Sequence, residues 1–435
     1  MTRSKNFTLI HIAFLLSIAS ASSVFGTASE IVVYPTGNFP QDVQNVQAAV
    51  NVGGRVRLKA VDINGQPTAF NFGTPQNLAG RRVLIQNDVT IFGERNGQSV
   101  TTIRGGNTPL RSVLPVTSSI SDIYFSGPRG SAIQISRSTG VTISRNRISG
   151  VVGALNRYGY TFGDGIDVFG YQDRQHRITG KVSITSNIIE NLHADFSNGI
   201  QIDGVAGESE ILDNTIRDVE SAGITVIRSG SSTTIERNVI VPGAGNGIAL
   251  FSYGLGIDFS GANYSVRHNI ITCENPLGEG IYVIGGGFAD RTSGAVIESN
   301  KVSMNGSDYD GMALYGLVDH TLVTGNTISG DAAFAFVDAE GPDLTDISDF
   351  NTFRGNNLSH FTSSIADVFF SSNTANNKYL GECRSVLDLG LNNQLTCGGE
   401  HQIFTSSRKS IGTVNKIRPQ IPNSALTIPI DDDTE

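Results

Sequence analysis

The stretch VSITSNIIEN, residues 182–191, decides the fold because it recurs along the chain. Val182 and Ile184 alternate with polar residues, and Asn187 stands before a second apolar pair, Ile188 and Ile189. VTISRNRISG repeats the phrase upstream around Asn146, and SEILDNTIRD repeats it downstream around Asn214. TTIERNVIVP carries Asn238, YSVRHNIITC Asn269, AVIESNKVSM Asn300, TLVTGNTISG Asn326 and NTFRGNNLSH Asn356. By subtraction of residue numbers, successive asparagines lie 41, 27, 24, 31, 31, 26 and 30 residues apart. A second phrase, Gly-Ile or its equivalent followed by alternation, begins at Gly165, Gly199, Gly223, Gly247, Gly280 and Gly311.

Two short strands and a few turns per repeat of this length make one coil of a solenoid. Alternation turns one side of every strand inward and the other outward. The asparagine falls at a turn, where it is expected to take the left-handed conformation and bond neighbouring backbone. Stacked coil on coil, such amides would form an internal ladder. A hexapeptide period is absent, and the gaps are too short and too rich in Gly, Ser and Asn for crossover helices. The expected fold class is all-β, a single-domain right-handed parallel β-helix over residues 31–404.

The ends fit that expectation. PQDVQNVQAAVNVGG, residues 40–54, puts Val43, Val46 and Val50 on one helical face. It predicts a capping helix over 42–51, with Asp42 as N-cap and Gly53-Gly54 as the stop. Such a helix would cover the open edge of the first coil. Residues 405–435 turn polar and end in Asp431, Asp432, Asp433 and Glu435, which reads as a disordered acidic tail. At the start, Arg3 and Lys5 precede an apolar run from Leu9 to Ala19 and the small residues Ala19-Ser20-Ala21. That order reads as a signal peptide within 1–26, cleaved after about residue 21 or 26. The run is too short for a membrane span, which needs about 20 apolar residues. A secreted or periplasmic protein is expected.

Composition narrows the function classes. The chain has 435 residues, of which 39% are hydrophobic and 16% charged, with 50 glycines. It is too apolar for a disordered protein and lacks collagen's strict glycine period. A net charge of −9 argues against nucleic-acid binding, which needs cations against phosphates. It also weighs against a polyanionic substrate unless a local basic groove forms. Of the 3 cysteines, Cys383 and Cys397 flank a Gly/Asn-rich stretch and fit a disulfide in an oxidising compartment. Cys273 is left as a buried apolar residue.

The asparagine-turn phrase resembles that of the right-handed parallel β-helix superfamily, which includes pectate lyases, polygalacturonases and alginate-modifying enzymes. The resemblance covers roughly Asn38 to Gly399 and implies the fold; its members' reactions differ, so it does not fix the chemistry. GDGIDV, from Gly163 to Val168, is similar to the acidic strand of polygalacturonases. That family's adjacent paired aspartates, Gly-His-Gly turn and Arg-x-Lys phrase are absent. YGY, residues 158–160, is faintly similar to the Tyr-Gly segment of alginate epimerases, without the Asp-Pro-His that follows there.

Candidate chemistry gathers on the Gly-Ile strands and in the longest interval, residues 151–181. Asp164, Asp167 and Asp203 are carboxylates spaced for general acid–base work on a glycosidic bond, with turn formation as the alternative role. A lyase or epimerase would need a base and a cation instead; His176 and Arg228 are the candidates, with Arg174, Arg177 and His193 nearby. Tyr160, Phe169, Tyr171, Arg174, Phe251, Tyr253, Tyr282 and Tyr315 are candidate substrate-binding residues. Aligned outward rings on one face mark a binding surface, unless loops bury them as a satellite core. No cofactor is required by these groups, although acidic clusters such as Asp308-Asp310 could hold Ca²⁺. The reading is an exported, monomeric polysaccharide-binding protein with no nucleic-acid partner, which cleaves or epimerises its ligand. The alternative is a non-catalytic structural or adhesive surface protein.

Overall fold

A computed structural model of the protein describes residues 30–74, 82–155, 159–170, 178–227, 232–251, 263–274, 278–286, 291–306, 308–339, 348–398 and 402–405. The strands stack into three long parallel sheets, visited in turn by each coil. Among the described residues, sheet I has 14 strands, sheet II 11 and sheet III 13. A coil is traced by Val182–Thr185 in sheet I, Ile188–Leu192 in sheet II and Asn198–Asp203 in sheet III. The next coil repeats it at Ser209–Leu212, Thr215–Val219 and Ala222–Ile227. This is the right-handed parallel β-helix that the repeat predicts. A smaller four-stranded parallel sheet runs beside the later coils.

The core follows from register. Ile143, Ile184, Ile211 and Ile235 are successive partners in sheet I, and all are fully buried. Ile166, Ile200, Ile224, Ile248 and Ile281 do the same in sheet III. Each buried Ile or Val contributes about 1.5–3 kcal/mol, so the aligned columns carry most of the stabilisation. The glycine ahead of each sheet III isoleucine has a steric cause. A Cβ on Gly199 would lie 2.5 Å from Ile216 Cγ2, and one on Gly247 would lie 2.4 Å from Ile271 Cγ2. Sheet II's inward isoleucine occupies the space of any side chain there, which is why the phrase reads Gly-Ile.

The asparagines form the expected ladder. Asn214 donates its backbone N–H (2.9 Å) and its Nδ2 (3.0 Å) to Asn238 Oδ1. Its Nδ2 also donates to the Ile184 carbonyl at 2.9 Å. The same pattern continues through Asn269, Asn300, Asn326 and Asn356. The backbone differs from expectation in one respect. The left-handed residue is the one before each asparagine: Arg145 (φ 55°), Ser186 (57°), Asp213 (56°), Arg237 (55°) and His268 (54°). The asparagine keeps ordinary dihedrals, and its side chain turns inward because that left-handed step reverses the chain. A second ladder, not read from the sequence, links Thr321 N–H to Asn351, Asn351 to Asn377 and Asn377 to Asn393.

Helix α1 spans Gln41–Val52, one residue longer at each end than predicted, and buries Val43, Val46, Ala49 and Val50. Asp42 is not its N-cap, a position that Pro40 holds. The Asp42 carboxylate lies inside the first turn and accepts from Thr36 N–H (2.7 Å) and Asn71 N–H (2.8 Å), tying the preceding segment to the helix. Gln47 closes the first edge of sheet III by pairing with Leu84 as a strand would. It donates to the Leu84 carbonyl (2.9 Å) and accepts the Leu84 N–H (2.7 Å). Gly53 (φ 78°) ends the helix.

At the other end the three sheets stop at different coils. Sheet II ends at Asn357–Ser363, while sheet I continues through Lys378–Glu382 and Gln394–Gly398. A Cys383–Cys397 disulfide, with Cα atoms 5.4 Å apart, joins these last coils. Cys273 is a buried free thiol pushed up to about 12 by desolvation. No described helix is long and apolar enough to cross a membrane. The proposed leader and tail lie outside the described residues, except that the last strand includes Thr405.

Candidate functional site

Sheet III presents three outward columns. The first holds Asp164, Asn198, Ala222, Asn246, Glu279 and Asp310. The second holds Asp167, Gln201, Thr225, Ala249, Tyr282 and Ala313. The third holds Phe169, Asp203, Ile227, Phe251, Ile284 and Tyr315. In the second column polar side chains fill the early coils and Ala249, Tyr282 and Ala313 the later ones.

At the polar end, Asp164 Oδ1 accepts both the backbone N–H (2.7 Å) and Nδ2 (3.1 Å) of Asn198. Asn198 Nδ2 also donates to Gln201 Oε1 at 2.9 Å, and Thr225 Oγ1 donates to Asn198 Oδ1 at 2.8 Å. Gln134, one coil earlier, donates to Asp167 Oδ2 at 3.0 Å. Asp164, Asp167 and Asp203 are 8%, 6% and 8% exposed. Burial therefore governs their ionisation. Desolvation and the neighbouring Asp167 push Asp164 well above the usual carboxylate range, against the Asn198 bonds. Desolvation raises Asp167 to about 6, with Asp203 adding and Gln134, Gln201 and Arg111 opposing. Burial thus disfavours the charged form of both carboxyls, while amide donors favour it, Asn198 at Asp164 and Gln134 and Gln201 at Asp167. One carboxyl can donate and its neighbour can accept.

The predicted ring row lies in the outward columns, and its later members are covered. Tyr282 and Tyr315 are 3% and 9% exposed and belong to a second apolar cluster with Ala249, Ala313, Phe334 and Val337. The row is therefore a satellite core and not an open platform. Phe169 and Phe251 are half-buried. A ring group with one exposed member, Tyr160, occurs upstream of the carboxyls. Tyr160, 45% exposed, meets Phe196 edge-on at 5.4 Å, and Phe196 stacks on Phe162 at 5.0 Å. Phe162 and Phe196 precede Asp164 and Asn198 by two residues, so the rings border the polar end. Phe196 was missed from sequence because no outward column contains it; its signal is the bridge that pairs it with Phe162.

His176, Arg228, Tyr171, Arg174, Arg177 and Tyr253 lie outside the described residues. His193 is exposed, and nearby Asp195 accepts from Thr161 N–H (2.8 Å) and Oγ1 (2.9 Å), which lowers its pKa. Asp308 is exposed whereas Asp310 is buried, so the pair read as a Ca²⁺ cluster is split. Among the described residues, no three His, Cys, Asp or Glu side chains converge as a metal site.

A family model described as "Right handed beta helix region" matches residues 80–287 and 198–384. No curated protein matches the sequence. Among solved structures, the A-module of Azotobacter vinelandii mannuronan C-5 epimerase AlgE4 aligns at 13% identity and a TM-score of 0.48. That alignment covers 83% of this chain and 95% of the other. The AlgE6 A-module of the same organism aligns at 16% identity over 77% of this chain and 94% of the other, TM-score 0.43. PfbA, a surface adhesin of Streptococcus pneumoniae, aligns at 13% identity over 75% and 90%, TM-score 0.36. At these identities the likeness is one of fold.

Proposed function

Since the chain belongs to the right-handed β-helix family, we propose that it is an exported protein acting on a polysaccharide at the polar end of sheet III. The observation that carries this reading is the Tyr160–Phe196–Phe162 ring group, with Tyr160 exposed, bordering a buried pair of carboxyls with raised pKa values, Asp164 and Asp167. Rings of that kind take the apolar face of a sugar. Asp164 protonates the leaving glycosidic oxygen, and Asp167 serves as base or nucleophile on the opposite side. Glycoside hydrolysis is the reaction such a carboxyl pair suits. Residues 1–26 would direct export.

Incubation of the mature protein with a polysaccharide panel tests this. Reducing ends should appear without the near-ultraviolet absorbance of an unsaturated uronate. Tyr160→Ala should weaken glycan binding about tenfold, from loss of a ring contact worth roughly 1–2 kcal/mol. Reducing ends with that absorbance would replace hydrolysis by elimination.

A structural or adhesive role is the second reading. It is favoured by one observation: the bonds to Asp164 and Asp167 come from adjacent coils and so also tie the solenoid together. It predicts that Asp167→Asn leaves glycan processing unchanged because there is none.

A further inference from the structure

Among the described residues, sheet I begins at Ile31–Val33, with no strand beyond it. Val33 gives its carbonyl to Lys59 N–H at 2.9 Å, so by alternation the N–H and C=O of Val32 point away from the sheet. Gln47 of α1 closes the first edge of sheet III and leaves this one open. The strand edge, the outer side of α1 and the turn at residues 62–64 enclose a groove of about 700 Å³. Val52 and Ile63, 73% and 82% exposed, stand at its walls, with Val32 and Tyr34 exposed beside them. Ile63 is held in place, because Asp62 Oδ1 accepts Asn64 N–H (2.9 Å) and Gln66 N–H (2.8 Å) and fixes the turn. Four exposed apolar side chains around an open strand edge suit an extended segment, which brings backbone partners and apolar side chains together.

The chain's own sequence contains such a segment. Residues 425–430, outside the described residues, read ALTIPI, in which Leu426, Ile428 and Ile430 alternate with Thr427 and Pro429. On an added strand the three apolar side chains share one face, and their N–H groups point to one side. Pro429, which has no N–H, then falls on the outer edge, where a strand tolerates proline. The residues that follow, Asp431, Asp432 and Asp433, are anionic. Beside the groove, Arg55 and Arg57 share the carboxylate of Glu30, at 3.9 and 2.7 Å, which leaves one positive charge in excess. Length decides whose segment fits. Sheet I has 14 strands, so its ends lie about 62 Å apart at ~4.8 Å per strand. By subtraction, Ala425 lies 20 residues beyond Thr405. A chain of that length reaches about 70 Å only when fully extended and averages about 25 Å when flexible. The groove of its own molecule is out of ordinary reach, and that of a second copy stacked end to end is within it.

We propose that residues 425–430 of one copy add as a strand to Ile31–Val33 of a second copy, so that molecules associate head to tail. The inference is independent of the glycan reading. The test is sedimentation velocity of the mature protein over a range of micromolar concentrations, at low salt and at ~0.5 M salt. The average mass should rise with concentration beyond that of a dimer, because a head-to-tail contact need not close on itself. High salt should weaken association several-fold by screening the aspartates from the arginines. A chain ending at residue 420 should stay monomeric, and Val52→Asp and Ile63→Asp should each weaken association at least about tenfold. Both side chains are exposed, so these variants keep the fold. Ile270→Asp, an exposed position on sheet II, should associate as the parent does. A synthetic peptide of residues 424–435 should bind the shortened chain and block association of the full one. A monomer at every concentration, undiminished association of the shortened chain, or equal peptide binding by the Ile63→Asp variant overturns the proposal. So does peptide binding by the shortened chain while the full chain stays monomeric, since the segment then occupies its own molecule.

Discussion

Asn198 holds Asp164 with two donors at once, its backbone N–H at 2.7 Å and its side-chain amide at 3.1 Å, from the next coil of sheet III. A carboxyl so held is fixed in direction, while desolvation, with Asp167 beside it, raises its pKa. If the pair performs acid–base chemistry, Asp164→Asn and Asp167→Asn should each lower turnover about 10²–10⁴-fold. Neither should lower the melting temperature, because the amide imitates the neutral form that burial favours. Reducing-end assays beside thermal melts separate these effects.

Stability should fall with rising pH. Asp167 titrates at about 6, and Glu279 and Asp338 at about 7, all raised above the unfolded range of about 4. Asp164 and Asp310 are raised as well, chiefly by desolvation. A carboxyl with a raised folded pKa contributes its full stability below the unfolded pKa and loses it as pH climbs through the folded one. Glu279 alone should account for roughly 3 kcal/mol of that loss. Melting temperatures at about pH 5 and pH 8 should differ in favour of acid, and Glu279→Gln should narrow the gap.

Asn238→Ala should cost roughly 3 kcal/mol or more. It removes the acceptor for two donors of Asn214 and the donor to the Ile211 carbonyl, in a site closed to water. Urea unfolding should show a lower midpoint. Asn305→Ala, an exposed asparagine outside the ladder, should change little.

Reduction of Cys383–Cys397, or Cys383→Ser, should cost roughly 3 kcal/mol, the constraint expected for a loop of 14 residues. Hydrogen exchange should then rise first in the strands from Lys378 onward.

Much of the fold was legible because two local signals repeat with physical causes. Asn187 and Gly199 show the reason: an amide that must reach the next coil and a site with no room for Cβ. The left-handed step was assigned one residue too late because Asn itself tolerates that conformation, whereas Arg145 and Arg237 do not advertise it. Asp164 and Asp167 were legible as a pair, but their raised pKa values were not, since these depend on burial and on partners such as Gln134 a coil away. Tyr282 and Tyr315 face outward as the alternation predicts, but their burial was not legible, because alternation tells which side a ring faces and nothing about what lies over it. Asp338 was unreadable for the converse reason. An inward carboxyl among apolar neighbours breaks the alternation rule and is sustained by Asn351 Nδ2 at 3.1 Å.

The early end of sheet II gives the molecule a direction. Up to Asn357–Ser363, sheets I, II and III together close the described coils. Beyond that strand the cross-section opens, and the last coils are an angle clamped by one sulfur bridge. At the opposite end, α1 and Gln47 cap the first coil. Tension applied between the termini should therefore peel coils in one order, from the cysteines backward, with the acidic face of sheet III the last working surface to be lost.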